Sequence, residues 1–152
     1  MYEMPPATRA HAASGALFSD GDGRIMLVQP SYKEERDIPG GFVEPGETPY
    51  AACVREVAEE LGIRPPIGRL LVADWAPDGD GDKILFVFDG GVLDDETRAA
   101  IVFADDELTG YAFHPVHEVD GLVIDRLARR LRAAVAARDG GATAYLEGGL
   151  AL

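Results

Sequence analysis

The chain has 152 residues, 47% of them apolar and 27% charged, the make-up of a single soluble globular domain with its own core. A formal net charge of −13 argues against a nucleic-acid polymer or a membrane surface as partner. The one cysteine, Cys53, excludes an internal disulfide and a cysteine-built zinc cage.

Residues 1–12 form a loose lead-in without the apolar core of a leader peptide, and no run approaches membrane-spanning length. The expected setting is cytoplasmic. Ser14 to Ser19 and Arg24 to Gln29 are apolar runs separated by Asp20-Gly21-Asp22-Gly23, the pattern of a hairpin. Pro30 to Ile38 is a charged connection holding Tyr32, Lys33 and Arg36. These side chains either serve solubility or meet anionic oxygens of a ligand.

Pro39 to Ile63 reads PGGFVEPGETPYAACVREVAEELGI. Thr48 suits an N-cap, Pro49 the first helical position and Gly62 the stop, with Pro65 and Pro66 beyond it. The spacing therefore predicts a helix over 49–61. At ~100° per residue, Glu56, Glu59 and Glu60 fall within one arc of ~100°. Tyr50, Val54, Val57, Ala58 and Leu61 fall on the opposite side. Like charges three and four residues apart repel unless a cation stands between them, and carboxylate oxygens are the hard ligands that Mg²⁺ or Mn²⁺ prefers. The plainer alternative is a solvated acidic face. Cys53 lies on the core side of this helix and is expected to be a small buried filler.

Ile67 to Trp75 and Lys83 to Asp89 read as strands, with a tight acidic turn at Pro77 to Asp82 and a stop at Gly90-Gly91. Thr97 to Phe103 is expected as another strand. Tyr111 to His117 comes next as a strand broken by Pro115, which would set His114 and His117 on opposite faces. Gly121 to Arg138 is the second helix, with Arg126, Arg129, Arg130 and Arg132 mostly outward. Residues 140–152 form a tail whose Thr143 to Leu146 has strand character. The reading is one domain over 1–152, with a mixed sheet between helices.

Gly41, Glu47, Arg55, Glu56, Val57, Glu59, Glu60, Gly62 and Ile63 fill every specified position of the Nudix box. The chain resembles the Nudix hydrolases, and that resemblance implies a fold, an activity and a set of site residues. The implied fold is the Nudix-type α/β/α sandwich with a mixed β-sheet. The implied activity is metal-dependent hydrolysis of a pyrophosphate bond in a nucleoside diphosphate linked to another moiety, such as a nucleoside triphosphate or a nucleotide sugar. The implied cofactor is Mg²⁺, with Mn²⁺ as substitute. By the same resemblance Glu56, Glu59 and Glu60 are the metal ligands, joined by the Gly40 carbonyl, while Arg55 and Glu47 orient them. The general base is Glu107, Glu44 or one of the helix glutamates. Lys33, Arg36 and Tyr32 would contact a small nucleotide. The resemblance and the strand-like tail also point to a homodimer. The alternative is a catalytically silent Nudix domain that senses a nucleotide or binds a protein.

Overall fold

In a computed structural model describing residues 1–152, alternating apolar and polar stretches become one eight-stranded mixed sheet with a long helix on each face. The elements run β1 (His11–Ser19), β2 (Ile25–Pro30), β3 (Gly40–Phe42), α1 (Pro49–Leu61), β4 (Leu70–Trp75) and β5 (Lys83–Val92). They continue as α2 (Asp95–Ala99), β6 (Leu108–His114), α3 (Asp125–Gly140), β7 (Ala144–Glu147) and β8 (Leu150–Ala151). The strand order is β6-β2-β1-β5-β4-β7-β8, with β3 attached to β1. β1–β5 and β4–β7 are parallel and the remaining pairs antiparallel.

The period of two along β1 and β2 decides which helix each side chain meets. Leu17, Ile25 and Leu27 face Leu127, Leu131 and Ala134 of α3. Ala16, Phe18, Met26 and Val28 face Cys53, Val57 and Leu61 of α1. Two cores therefore share one sheet. β1 is the hinge of this arrangement, because Ala13, Ser14 and Gly15 pair with β5 on one side and with Phe42, Gly41 and Gly40 on the other. A Cβ on Gly40 would run into the Ser14 carbonyl, and one on Gly15 would lie 2.9 Å from the Pro39 oxygen. Glycine at both positions lets β3 lie flat on β1.

The helix over 49–61 is as the spacing predicts. The Thr48 side chain accepts the Ala51 N–H, and Gly62 closes the end at φ 70°. Five expectations are corrected. Thr97 to Phe103 is no strand: Asp94 caps the Thr97 N–H and starts α2, whose first turn carries Asp95 and Glu96. β5 runs through Gly90-Gly91 to Val92, because the β1 partner shifts register between Leu17 and Phe18 and accommodates the glycines. The last helix begins at Asp125, and His117 stands in a single helical turn at Val116–Glu118 after β6 has ended at His114. Arg130 points inward and is buried. The tail docks on the domain itself, β7 pairing with β4 and turning back through β8. Residues 1–10 belong to no regular element. No helix is long and apolar enough to cross a membrane.

Candidate active site

The site is built where α1 leans on β3. Arg55 is its brace. The Nε and Nη2 groups donate to the two Glu47 oxygens at 2.7 and 2.9 Å, a two-point pairing that locks the loop before the helix onto the helix. Nη1 donates to Glu56 at 2.9 Å and to Glu59 at 3.1 Å, and Nη2 also reaches the Phe42 carbonyl at 3.0 Å. Glu47 answers with a second tie, accepting the Glu44 N–H at 3.1 Å. Stabilised first by Arg55 and then by that amide, the Glu47 carboxyl is held down at about 2. Arg55, surrounded by acceptors, is raised well above its ordinary range.

Glu56, Glu59 and Glu60 do not share one environment. Glu59 is exposed, Glu56 half-buried and Glu60 buried at 8% exposure. The buried arc of α1 holds Ala52, Cys53, Val57, Glu60 and Leu61, so the arc meeting the sheet is centred nearer Glu60 than the even separation of acidic and apolar faces predicts. The glycine pair makes this feasible. A Cβ on Gly41 would stand 2.5 Å from the Glu56 carboxyl, so only glycine leaves room for that group against β3. Burial first, then the neighbouring Glu56 charge, pushes the Glu60 carboxyl up to about 9, with hydrogen bonding from the Gly40 backbone opposing the rise. Cys53 is buried, its thiol pushed up to about 12 by that burial, and it fills core as expected.

Two carboxylates forced together in a buried place fit a divalent cation, which commonly takes one or two carboxylates and fills its remaining positions with water and substrate oxygens. No three His, Cys, Asp or Glu side chains converge into a cage of their own. Glu59, turned to Arg55, is the one that stands apart.

Beside this pair lies a cleft of about 410 Å³. Gly40, Gly41 and Phe42 border it on one side, Tyr32, Lys33 and Arg36 on another, and residues of β5 and α3 close it. The helix carboxylates stand behind β3, with Gly41 as the thin place between them and the cleft. The loop carrying Tyr32, Lys33 and Arg36 is pinned from beneath: Gln29 Nε2 donates to the Pro30 and Lys33 carbonyls at 3.1 Å each, and the Arg36 N–H reaches the Leu122 carbonyl. Lys33 pairs with Asp37 at 3.1 Å, which helps hold its ammonium charged. Arg36 makes no ion pair.

The structure therefore gathers Glu47, Arg55, Glu56, Glu59 and Glu60 where α1 meets β3, behind the cleft, and puts Gly40, Tyr32, Lys33 and Arg36 in the cleft lining itself. Glu107 is elsewhere, exposed at the foot of β6, with its carbonyl accepting the Ser31 N–H and no part in the cleft lining. Glu44 is 65% exposed and 3.7 Å from Arg55. Sequence reasoning missed Lys83, Arg126 and Arg130, which also line the cleft. The helical spacing of the two arginines was visible, but the cleft they face was not.

A NUDIX domain family model matches residues 9–137 of the chain. An ADP-ribose pyrophosphatase of Methanocaldococcus jannaschii is 40% identical over 83 residues, which is 51% of this chain and 49% of that protein. Diphosphoinositol polyphosphate phosphohydrolase 3-alpha of Mus musculus is 40% identical over 68 residues, 44% of this chain and 42% of its own length. The match thus spans about half of each relative or less. Among solved structures, a MutT protein from Methanosarcina mazei Go1 superposes with a TM-score of 0.71 at 20% identity, covering 90% of this chain and 99% of that one. At that identity the likeness speaks to the fold.

Proposed function

The chain belongs to the Nudix family, and from that premise we propose that it hydrolyses a pyrophosphate bond in a small nucleotide, such as a nucleoside triphosphate or a nucleotide sugar, with Mg²⁺ or Mn²⁺ as cofactor. The observation that carries the reading is Glu60, a buried carboxyl set against Glu56 and beside Gly40, whose burial and neighbouring charge disfavour its ionised form unless a cation offsets them. Glu56 and Glu60 would hold the ion, with the Gly40 carbonyl and Glu59 completing its surround. When bound, the ion neutralises phosphoryl oxygens and acidifies a water.

The chain's own residues do the rest. Arg55 fixes the Glu56 and Glu59 carboxylates while Glu47 fixes Arg55, so the acidic group is set before substrate arrives. Lys33 and Arg36 on the cleft wall take phosphate oxygens, and Tyr32, 73% exposed, offers a ring face to a base. Water attacks one phosphorus, the bond from that phosphorus to the bridging oxygen breaks, and the bridging oxygen leaves with the other product as its phosphate oxygen. The water proton passes to a carboxylate. Glu44 and Glu107 are both exposed, and of the two only Glu44 stands near the Arg55 network, at 3.7 Å.

The test is release of phosphate and pyrophosphate from nucleoside triphosphates, ADP-ribose, sugar nucleotides and dinucleoside polyphosphates, with Mg²⁺, with Mn²⁺ and with chelator. Metal-dependent turnover of one class is the expected result. Glu59→Gln or Glu60→Gln abolishes it while leaving the fold intact, and near-normal turnover by folded Glu60→Gln removes the ligand assignment. The proposal includes a cytoplasmic homodimer. Light scattering at 16.2 kDa, instead of twice that mass, would end the dimer.

A further inference from the structure

Arg130 is 6% exposed, yet it is part of the cleft wall. Its Nε donates to Asp74 Oδ2 at 2.7 Å, and Asp74 is wholly buried. The other Asp74 oxygen accepts the Gly149 N–H at 3.0 Å, from the turn joining β7 and β8. Both carboxylate oxygens are thus engaged, and the guanidinium is fixed along one edge. Its two Nη groups donate to no protein acceptor, and neither is sealed away from solvent. A buried guanidinium with one edge anchored and its outer N–H groups free presents a rigid donor fork, which matches the paired oxygens of a phosphate. Leaving such a group half-satisfied is costly unless a ligand or water completes it.

The surroundings have the same sign. Lys83 and Arg126 share the lining with Arg130, held by Asp78 at 2.6 Å and by the Pro77 carbonyl at 2.8 Å. With Lys33 and Arg36 the lining carries five cations against two carboxylates, Asp37 and Asp78, in a chain of net charge −13. This cationic wall starts beside the box strand, since Lys83 Nζ stands 5.5 Å from the Phe42 ring centroid.

We propose that Arg130, with Lys83 and Arg126 around it, forms a second anion subsite in the cleft, which takes a phosphate group of the substrate other than the one attacked. The C-terminal hairpin sets the angle of the fork through Asp74. Resting on the hydrolase reading for its consequence, the subsite narrows the substrate to molecules with a phosphate beyond the cleaved bond, and disfavours those ending in a neutral sugar.

Titration calorimetry of the full chain with inorganic tripolyphosphate, in chelator, reads the subsite apart from catalysis. Wild-type protein is expected to bind, with affinity falling as salt rises. Arg130→Met alone strands the buried Asp74, so the informative variant is Asp74→Leu with Arg130→Met, which exchanges the pair for apolar groups. It should retain the wild-type circular dichroism and bind at least about tenfold more weakly. If it does not fold, Arg130→Lys, which keeps the charge on Asp74 but has no planar fork, should show the same loss. No binding by wild type, or undiminished binding by the folded variant, overturns the subsite. Tripolyphosphate binding without turnover of any nucleotide would leave the subsite standing and remove the hydrolase reading.

Discussion

Arg55 and Arg130 sit on helices that cover opposite faces of the sheet, and they are held in opposite ways. Arg55 spends its donors on groups within thirteen positions of itself: Phe42, Glu47, Glu56 and Glu59. Arg130 is anchored across 56 positions to Asp74, which is tied in turn to Gly149 across 75. The first is a local, partly exposed network whose job is to hold carboxylates still. The second is a buried pair that holds a sheet, a helix and a tail together, with donors to spare. Removing Arg55 should therefore damage function more than stability, and removing Arg130 should do the reverse.

The sharpest way to break that contrast is Arg130→Met. Removing one partner of a buried pair leaves an uncompensated charge and costs about 3–5 kcal/mol. Denaturant unfolding should show that loss in the single variant and most of it recovered when Asp74→Leu is added. A single variant as stable as wild type would mean that Asp74 is satisfied without its arginine.

Next comes Glu60, whose carboxyl carries an unusual proton. Its folded value of about 9 lies above the ordinary 4.5, so the folded state binds more protons than the unfolded between those limits. Stability from this group is complete below pH 4.5 and is lost as pH rises toward 9. At ~1.4 kcal/mol per pH unit, metal-free protein should lose on the order of 4 kcal/mol by pH 8 relative to pH 5. Thermal unfolding in chelator at the two pH values measures it. Glu60→Gln should flatten the difference, and a Glu60→Gln protein as pH-sensitive as wild type would place the proton elsewhere.

The box and its helix were legible because their determinants are local: a cap, a stop, a pair of glycines and a periodic face, all within residues 39–63. The apolar runs of β1 and β2, with the Asp-Gly turn between them, likewise announced an antiparallel pair. What the sequence hid was non-local or balanced. Glu60 counted with the acids on a helical wheel, and only the β3 glycines bring the sheet close enough to bury it. Arg130 looked like one of four outward arginines, since nothing near it names Asp74. At 97–103, the β-branched Thr97, Ile101 and Val102 suggested a strand, but Asp94 with Asp95 and Glu96 wrote a helix start that prevailed locally.

Arg55→Lys tests the functional half of the contrast at smaller cost. Lysine keeps the charge but cannot pair with both Glu47 oxygens and still reach Glu56 and Glu59. Losing such a positioning group typically costs 10–100-fold in metal affinity or activity. Turnover should fall by about that factor, with most of the loss recovered at high Mg²⁺ if the carboxylates are merely misaligned. A fall that no metal concentration relieves would mean that Arg55 touches substrate itself.

The smallest expected effect is at Thr48, and it separates the helix from its brace. Its Oγ1 accepts the Ala51 N–H at 3.1 Å, and replacing such a cap by alanine costs about 1 kcal/mol, or roughly 2–4 °C in Tm for a chain of this size. The N-cap of α3, Ile124, offers no side-chain cap at all, so a long helix in this fold tolerates an uncapped start when tertiary contacts hold it. The Glu47–Arg55 pair clamps the start of α1 independently of the cap. Thr48→Ala should thus lower Tm while kcat/KM stays within about twofold, the effect of a cap lost away from the reacting groups. If turnover falls along with Tm, the carboxylates owe their placement to the first turn of the helix, and Arg55 is one support among several.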